Sequence, residues 1–552
     1  MTTMFAFVLM LSILIFVHEL GHFLVAKACG VRVLKFSLGF GPPIGIGRHR
    51  LSWTRGHTEY VIAWFPLGGF VKMLGESLEE MGDPELIANP EETLNGRPTW
   101  QKLAIVFAGP AMNLLLPVVV FMGTLAVGMP RPLPVIGTIE PASPAEQAGL
   151  RPGDRITAAG GAPVEWWQDF DEAIRSHADA PLRVAYERDG EPAVASLEIT
   201  TRSSFDPFGK IVSVGWAGAD HPRLSAVLGV PGSRSPAALA GLRSGDRVEA
   251  VGGAPIETWP ELATAYAAEQ ASVALTVRRG ADEDAATLEV TVPVLGSVEA
   301  LGVIPANVLV AGVTPDMPAA RAGLASGDLI LSVDGDPVGS FATFAETVRT
   351  SEGRALRLAF AREGTVREVT LAPEIDEVDA GLGIKEPRYL VGITADPASL
   401  RGAVGIEREM NPMVSLPQAV GMTVDVTRTF LQGLGKIVTG EVSSKQIAGP
   451  IGIAEIAGNA FKRGWETYLS IMVLISVNLG ILNLLPIPIL DGGQAVVFTV
   501  EAIKRGPLSL RTREIIQQIG LTVLVLLMGL AFWNDLSRNW SRLVDWLASS
   551  GL

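Results

Sequence analysis

The stretch FVHELGH, residues 16–22, places two histidines and a glutamate inside an apolar segment that runs from residue 4 to residue 28. An apolar segment of about 20 residues is long enough to cross a bilayer as a helix. An ionisable side chain at membrane depth is costly unless it has a partner or a function. Three such side chains within seven residues therefore predict a functional site inside the membrane.

The spacing of the polar residues in this stretch is typical of a metal site. His18 and His22 are four residues apart, so on a helix they lie one turn above each other on the same face, with Glu19 beside them. This H-E-x-x-H arrangement predicts two imidazole ligands for zinc and a glutamate that takes a proton from the zinc-bound water. The alternative is a polar trio that only holds helices together.

A third ligand is expected from another apolar segment, because catalytic zinc uses three protein ligands and an open position for water. Asp491 is the one acidic residue inside or at the edge of the other three apolar segments, in NLLPIPILDGGQ. Pro486 and Pro488 break the helix before it, and broken backbone at membrane depth is tolerated where it lines an enclosed or wet cavity. We therefore predict that Asp491 completes the site, toward the cytoplasmic end of the third span.

The composition indicates a membrane protein with large soluble parts. The chain has 552 residues, of which 48% are hydrophobic and 18% are charged, and this length allows several domains. Its net charge is −14, and the acidic excess lies in the middle of the chain. An acidic middle region argues against a nucleic-acid partner, which would need a basic surface.

Four apolar stretches predict a polytopic α-helical protein with four transmembrane helices, at residues 4–28, 103–127, 468–490 and 515–533. Basic residues near the ends of the spans indicate the cytoplasmic side. They follow the first span at Lys27, Arg32, Lys35, Arg48, Arg50 and Arg55, and separate the third and fourth at Lys504, Arg505, Arg511 and Arg513. The acidic middle region and both termini are then expected outside the cytoplasm, with the active site toward the cytoplasmic side. Residues 411–445 predict an amphipathic helix at the membrane surface, in contact with lipid.

The middle region contains a threefold repeat: SPAEQAGLRPGDRI from Ser143, SPAALAGLRSGDRV from Ser235 and MPAARAGLASGDLI from Met317. In each, a short helix is predicted to end at a glycine with positive φ, and a Gly-Asp pair to shape a turn before a strand. These turn residues are Gly149, Gly153, Asp154, Gly241, Gly245, Asp246, Gly323, Gly327 and Asp328. The motifs resemble PDZ domains of bacterial proteases, which implies three tandem PDZ (α+β) domains inserted between the second and third spans.

PDZ domains bind extended peptides or carboxyl termini by strand addition. The repeats are therefore expected to have such ligands, or else to act as spacers or a sieve. The corresponding domain boundaries are 1–128, 129–205, 206–297, 298–376, 377–465 and 466–552.

Two further features could bind an unwound peptide. WFPLGGFVKML, residues 64–74, is a β-like run that could offer a sheet edge near the site, or it could be a plain membrane-dipping hairpin. Asn113 and Asn483 carry amides that could bind a peptide backbone, or could bond one helix to another.

Taken together, HELGH, FPLGGFVKM, AGPAMN, GPIGIA and SVNLGILNLLPIPILDGG resemble the site-2 intramembrane metalloproteases, within their bacterial branch typified by the regulator of sigma-E protease. The resemblance implies one Zn²⁺ per chain, with His18, His22 and Asp491 as ligands and Glu19 as the catalytic residue. It also implies a place in the bacterial inner membrane. The implied substrate-binding residues are Asn113, Asn483, Gly68, Gly69, Phe70, Val71, Lys72 and Met73.

The same resemblance implies cleavage of single-span membrane proteins that have first been trimmed on the outer side, such as anti-sigma factors and remnant signal peptides. Three repeats depart from the usual two of that branch. Our leading hypothesis is a protease whose repeats exclude substrates with bulky outer domains. The alternative is a membrane-anchored PDZ scaffold with a structural metal site.

Overall fold

The computed structural model describes residues 2–46, 49–75, 90–140, 142–205, 211–280, 285–379, 385–395, 400–440 and 449–538. The chain divides into two compact units. The first comprises Met1–Met129, Asp379–Lys385 and Arg408–Leu552, and the second comprises Pro130–Val378 and Glu386–Glu407. We call them the helical unit and the repeat unit.

The helical unit begins with two long apolar helices, and a small sheet follows the first of them in the chain. Its first elements are α1 (Thr2–Ala28), β1 (Val33–Pro43), β2 (Gly45–Ile46), β3 (His49–Arg50), β4 (Ser52–Arg55), β5 (Thr58–Met73), a 3₁₀ turn (Pro90–Glu92) and α2 (Thr99–Val127). The predicted β-like run of residues 64–74 therefore lies within β5 except for its last residue, Leu74. Strand β5 folds back on itself, so that Phe36 of β1 pairs with Tyr60 on one side and with Val71 on the other.

The first repeat follows. After β6 (Met129–Pro132) come β7 (Thr138–Ile139), α3 (Pro144–Gln147), β8 (Arg155–Ala159), β9 (Ala162–Pro163), α4 (Trp167–Ser176), β10 (Pro181–Arg188), β11 (Glu191–Glu198), β12 (Thr200–Phe205), β13 (Ile211–Trp216) and β14 (Ala219–Asp220). Pro144 starts α3 and the hydroxyl of Ser143 caps it, accepting from the backbone N–H of Glu146. Ser235 and Pro236 start the corresponding helix of the second repeat in the same way, whereas in the third Met317 precedes the proline and makes no side-chain cap.

The third repeat contains the same series of elements as the first, whereas the second has a 3₁₀ turn in place of the hairpin of β12 and β13 and an additional strand at its start. The second has β15 (Pro222–Leu224), β16 (Leu228–Gly229), α5 (Pro236–Leu239), β17 (Arg247–Val251), β18 (Ala254–Pro255), α6 (Trp259–Ala267), β19 (Ser272–Arg279), β20 (Ala286–Pro293), a 3₁₀ turn (Val298–Leu301) and β21 (Ile304–Pro305). The third has β22 (Val310–Val313), α7 (Pro318–Arg321), β23 (Leu329–Val333), β24 (Asp336–Pro337), α8 (Phe341–Thr350), β25 (Leu356–Arg362), β26 (Thr365–Leu371), β27 (Glu374–Asp379), β28 (Lys385–Leu390) and β29 (Ile393–Ala395). Strands β30 (Leu400–Gly402) and β31 (Val404–Glu407) complete the unit.

Each repeat has a four-stranded sheet of one topology. The strand orders are β11-β10-β8-β9, β18-β17-β19-β20 and β24-β23-β25-β26, so the strand that follows the Gly-Asp turn is always an inner strand. Inward positions alternate along β10 and β19, with Leu182 and Val184 in the first and Val273 and Leu275 in the second all nearly inaccessible to solvent. The same alternation of buried and exposed side chains thus accompanies the same strand order in both sheets.

The three hydrophobic cores begin and end later in the chain than the predicted domain boundaries. The first core runs from Ile136 to Ala217, and the hairpin of β12 and β13 continues past the predicted boundary at residue 205. The second core runs from Ala226 to Val303 and the third from Val308 to Val391, beyond the predicted ends at 297 and 376. The cause is that a strand after each sheet returns to pair with a strand near the start of the repeat: β14 with β7, β21 with β16 and β29 with β22.

Polar side chains connect the first repeat to the third. The guanidinium of Arg202 lies 3.3 Å from Glu140 and 3.4 Å from Glu346, which is on α8. The hydroxyl of Thr343, also on α8, donates to the same Glu140 carboxylate at 3.1 Å. We call these four residues the 1–3 contact.

The chain returns to the helical unit with α9 (Pro412–Val438), α10 (Pro450–Arg463), α11 (Trp465–Leu484), α12 (Asp491–Lys504) and α13 (Leu510–Arg538). Helix α9 is the predicted amphipathic helix, and residues 441–445 of that prediction fall outside the described residues. Helix α10 was not expected as a separate element. At the start of α10, the backbone N–H groups of Gly449, Ile451 and Gly452 donate hydrogen bonds to the carboxylate of Asp535 on α13.

Four described helices are long and apolar enough to cross a membrane: α1, α2, α11 and the Arg511–Ser537 part of α13. This confirms the four predicted spans. The third is shorter than predicted, because the helix ends at Leu484 rather than at residue 490. Pro486 lacks the N–H that an α-helix needs. Asp491 consequently does not end the third span but is the first residue of α12.

Candidate active site

The site is built on the buried face of α1 that packs against α2. The Nδ1 atom of His22 lies 2.8 Å from the backbone oxygen of Ile105 on α2. A carbonyl oxygen only accepts hydrogen bonds, so Nδ1 of His22 carries the proton. Its Nε2 atom is then the nitrogen with a free lone pair for a metal.

Glycine allows the two helices to approach closely at this level. A Cβ atom on Gly21 of α1 would lie 2.3 Å from the backbone oxygen of Ala108 on α2, a distance that real Cβ atoms do not show. Gly109 is its counterpart on α2, beside the histidine rings. Glycine at both positions lets one helix backbone lie against the other. The sequence analysis missed this role, although both glycines stand in the motifs HELGH and AGPAMN.

Asp491 reaches the histidines from the start of α12. The loop of residues 485–490 turns the chain sharply, and Gly492 and Gly493 make the turn possible. A Cβ on Gly492 would lie 2.3 Å from the backbone oxygen of Leu484, and one on Gly493 would lie 2.2 Å from that of Ile487. The two glycines after Asp491 thus allow α12 to start directly against the end of α11.

The three predicted ligands come together. The Nε2 atom of His18 lies 3.2 Å from Nε2 of His22 and 3.2 Å from Oδ2 of Asp491, and Nε2 of His22 lies 3.6 Å from Oδ1 of Asp491. Zinc–nitrogen and zinc–oxygen bonds near 2.0–2.2 Å in a tetrahedron separate ligand atoms by about 3.3–3.5 Å. The separations and the donor types therefore fit a zinc ion with two imidazoles and one carboxylate.

Glu19 lies next to this cluster, between α1 and β5. The backbone N–H of Val71 donates to its carboxylate, and the position of a Cβ on Gly69 would be 3.1 Å from Cγ of Glu19. The Gly69–Met73 part of β5 pairs with β1. This part of the predicted β-like run therefore lies beside the acid.

The two predicted amides both lie at His18, but at opposite nitrogens of its ring. The Nδ2 atom of Asn113 lies 3.1 Å from Nδ1 of His18, and Asn113 has no exposed surface. The Nδ2 atom of Asn483 lies 3.4 Å from Nε2 of His18, and Asn483 is partly exposed. Only Asn483 therefore lies on the side of the ring where the ligand atoms converge.

The turn residues of the repeats form the same bonded group three times. Asp154, Asp246 and Asp328 each accept a backbone N–H three residues earlier, at 2.7–2.9 Å. Each also lies within 2.6–2.8 Å of an arginine at the end of β10, β19 or β25, namely Arg188, Arg279 or Arg362. The same arginines donate to the backbone oxygens of Gly149, Gly241 and Gly323.

This pairing gives the Gly-Asp turn a structural role. The bond from Asp154 raises the pKa of the Arg188 guanidinium, and Asp246 and Asp328 do the same for Arg279 and Arg362. Gly149, Gly153 and their equivalents have φ between 77° and 99°, which favours glycine. The sequence contains the signal, since an arginine follows each aspartate after 33 or 34 residues.

The helical and repeat units together match known proteins over nearly the whole chain. Residues 6–527 match the family described as Peptidase family M50. Protease RseP of Yersinia pestis is 33% identical over 535 residues, which cover 97% of this chain and 98% of that protein. Regulator of sigma-E protease RseP of Escherichia coli K12 is 32% identical, with the same shares covered.

A relative from Neisseria meningitidis serogroup A, whose name describes a zinc metalloprotease, is 30% identical over 548 residues, which cover 98% of this chain and 99% of the relative. Both the family match and these identities extend through the segments that carry His18, Glu19, His22 and Asp491. The chain therefore belongs to peptidase family M50, the site-2 proteases, and is a zinc-dependent intramembrane metalloendopeptidase.

Proposed function

We propose that this protein cleaves single-span membrane proteins within the bilayer, with one zinc ion held by His18, His22 and Asp491 and with Glu19 as the catalytic acid/base. The observation that carries the proposal is the convergence of three side chains from α1 and α12, whose donor atoms lie 3.2–3.6 Å apart, beside a carboxylate on α1. A structural metal site has no use for that additional carboxylate.

The chemistry follows from the position of Glu19. Zinc, when bound, polarises the scissile carbonyl and lowers the pKa of water to about 7. Glu19 accepts the proton of the attacking water and later transfers it to the leaving amine. The N–H of Val71 fixes one position of the carboxylate, so that the proton is accepted and returned at one place.

The substrate must present an extended peptide, because a helix hides its carbonyl groups in internal hydrogen bonds. We assign substrate binding to the part of β5 beside Glu19, where the unwound segment would lie extended. Its residues are Gly68, Gly69, Phe70, Val71, Lys72 and Met73. Asn483 would bind the substrate backbone with its amide. Its partial exposure on the ligand side of His18 supports this role.

The substrates proposed for this chain are membrane proteins already trimmed on the outer side: anti-sigma factors, or signal peptides left after secretion. Their cleavage would regulate an envelope stress or transcriptional response. The names of the relatives from E. coli and Salmonella typhimurium, regulators of sigma-E, support this choice.

The proposed location is the bacterial inner membrane. Basic residues follow α1 and lie at the end of α12 and the start of α13, which supports a cytoplasmic position for these connections and for the active site. The repeats and both termini would then lie on the periplasmic side.

We assign the three repeats to PDZ domains, with extended peptides or carboxyl termini as ligands. Their common strand order and the repeated Pro-Ala and Gly-Asp motifs support this assignment. Their proposed function is to exclude substrates that still carry a bulky outer domain. Deleting residues 130–407 should then permit cleavage of untrimmed substrate, and continued resistance of that substrate would contradict the filter.

The test of the catalytic assignment compares wild type with Glu19→Gln, purified in the same detergent. We expect about one zinc per chain in both proteins, since Glu19 is not a ligand, and cleavage of a trimmed single-span substrate by wild type alone. Equal cleavage by both proteins would overturn the role of Glu19. Zinc without cleavage in either, for trimmed and untrimmed substrates alike, would favour a scaffold.

A further inference from the structure

We propose that Asn113 is a positioning residue for the metal ligand His18: its side-chain oxygen accepts the Nδ1–H of His18 and so keeps Nε2 free to bind the metal. This inference rests on the zinc site proposed above. It gives Asn113 a role different from the substrate binding that family resemblance implies.

The position of His18 in the ligand cluster decides which of its ring nitrogens carries the proton. Its Nε2 atom is the one that lies 3.2 Å from both Nε2 of His22 and Oδ2 of Asp491, so Nε2 is the nitrogen that faces the metal position. A neutral imidazole has one protonated nitrogen and one with a free lone pair. For Nε2 to bind a metal, Nδ1 of His18 must carry the proton.

The group that faces this proton belongs to Asn113. The side-chain amide of Asn113 lies 3.1 Å from Nδ1 of His18. An asparagine amide can present either its oxygen or its nitrogen there, because the two ends have nearly the same size. With the nitrogen toward His18, two donors face each other whenever Nε2 is the metal ligand.

The two orientations of the Asn113 amide differ in the hydrogen bonds that they satisfy. With the nitrogen toward His18, the Oδ1 atom of Asn113 is buried and has no hydrogen-bond partner within the described part of the chain. A buried polar atom without a partner is rare and unfavourable. Turning the amide by 180° removes both faults, since Oδ1 then accepts the Nδ1–H of His18.

With this orientation, each of the two histidines has a hydrogen-bond acceptor at Nδ1. His22 already has the corresponding acceptor, the backbone oxygen of Ile105 at 2.8 Å. Ile105 and Asn113 both belong to α2, so one helix would supply the acceptors that orient both imidazoles. The backbone of Asn113 is itself fixed, because its carbonyl oxygen accepts the hydroxyl of Ser476 on α11 at 2.7 Å.

The experiment measures zinc affinity by competition with a chelator, on the purified full-length protein in detergent. Asn113→Leu removes the acceptor, and Asn113→Asp retains an oxygen in its place. Loss of an outer hydrogen-bond partner of a zinc-bound histidine weakens metal binding by about 10- to 100-fold, which is the loss expected for Asn113→Leu. Asn113→Asp should bind zinc about as tightly as wild type.

Asn483→Leu is the matched control, because it removes the other amide beside His18. Its zinc affinity should equal that of wild type while the KM of a trimmed substrate rises. The melting temperature without zinc should be the same in all variants, and the rise in melting temperature on adding zinc should shrink only for Asn113→Leu. Should Asn113→Leu fail to fold, Asn113→Ala gives the same test without added volume.

Wild-type zinc affinity in a folded Asn113→Leu or Asn113→Ala protein would overturn the proposal, and so would an equal loss in Asn113→Asp. Neither result would affect the zinc site itself. Failure of the proposed function has a different signature, namely that wild type and His18→Ala bind zinc equally.

Discussion

Gly109 lies so close to His22 that a Cβ atom on this glycine would be 2.3 Å from the ring Nε2 atom. The backbone of α2 thus forms one wall of the metal site, and the space for His22 exists only because residue 109 has no side chain.

Gly109→Ala should therefore displace His22 and weaken zinc binding by about tenfold or more, comparable to the loss of an outer partner of a ligand. Zinc content and cleavage of a trimmed substrate are the measurements. Gly123→Ala is the control, because a Cβ on this glycine of the same helix meets nothing within 4 Å. Full zinc content in Gly109→Ala would mean that the two helices separate easily here.

The N–H of Val71 donates to the carboxylate of Glu19, and proline at residue 71 would remove that donor. A hydrogen bond to a charged group contributes about 1.5–3 kcal/mol, so Val71→Pro should lower kcat by roughly 10- to 100-fold. Zinc content should be unchanged, since Val71 does not touch a ligand atom. An unaltered kcat would show that Glu19 does not need this bond.

The aspartate of the Gly-Asp turn should be essential to the stability of each repeat. Asp154 is 1% exposed and bonds both Arg188 and the N–H of Arg151, so Asp154→Asn should destabilise the first repeat by about 2–3 kcal/mol. Asp171→Asn is the matched control in the same repeat, because the exposed Asp171–Arg175 pair should contribute less than about 0.5 kcal/mol. Protease susceptibility of the full-length protein in increasing urea measures both, and equal effects would refute the difference.

Asp334 occupies a position with φ of 54°, where the first and second repeats have Gly160 and Gly252. Its carboxylate accepts the N–H of Arg357 and a hydrogen bond from Arg354, and these bonds lower the pKa of Asp334 below its ordinary value. A lowered carboxyl pKa stabilises the folded state above the unfolded value near 3.8 and loses this effect as pH falls toward the folded value.

The third repeat of wild type should therefore lose stability between about pH 5 and pH 3 more steeply than that of Asp334→Asn. Asparagine tolerates the left-handed backbone, so the substitution removes the charge without adding strain. Urea unfolding at a series of pH values, followed by protease digestion, makes the comparison. Identical pH profiles would exclude Asp334 as a source of the acid sensitivity.

The 1–3 contact should permit a specific crosslink. The side-chain tips of Glu140 and Thr343 approach to 3.1 Å, and the single cysteine of the chain, Cys29, can be replaced by serine. Glu140→Cys combined with Thr343→Cys should be joined by a short thiol-specific crosslinker, which spans the gap that the shorter cysteine side chains leave, and the product should change mobility on a denaturing gel. Each single variant serves as a control, and absence of the crosslink would show that the two repeats separate in solution.

Sequence patterns sufficed for the spans and the repeats, because each depends on local spacing. Apolar length predicted four spans, and the i, i+4 histidines predicted their common face. Helix α10 was not anticipated, because its start depends on Asp535, more than eighty residues further along the chain. The contact between Val71 and Glu19 likewise depends on the doubled pairing of β5 with β1, which no local pattern encodes.

The roles of the two asparagines also could not be separated from sequence. Both stand in apolar segments, and the difference lies in which ring nitrogen of His18 each amide faces. That distinction requires the positions of three helices at once.

The 1–3 contact joins residues about two hundred positions apart, and β15 pairs with β30 across a similar distance. Such long-range contacts form late, since the intervening chain must first be present and its loop entropy overcome. During synthesis, the first repeat therefore remains without its partner in the third until Glu346 has emerged from the ribosome, and β15 of the second repeat remains without β30 until Leu400 has emerged. A fragment that stops after the second repeat would have a complete second core but would leave Glu140 and Arg202 facing water.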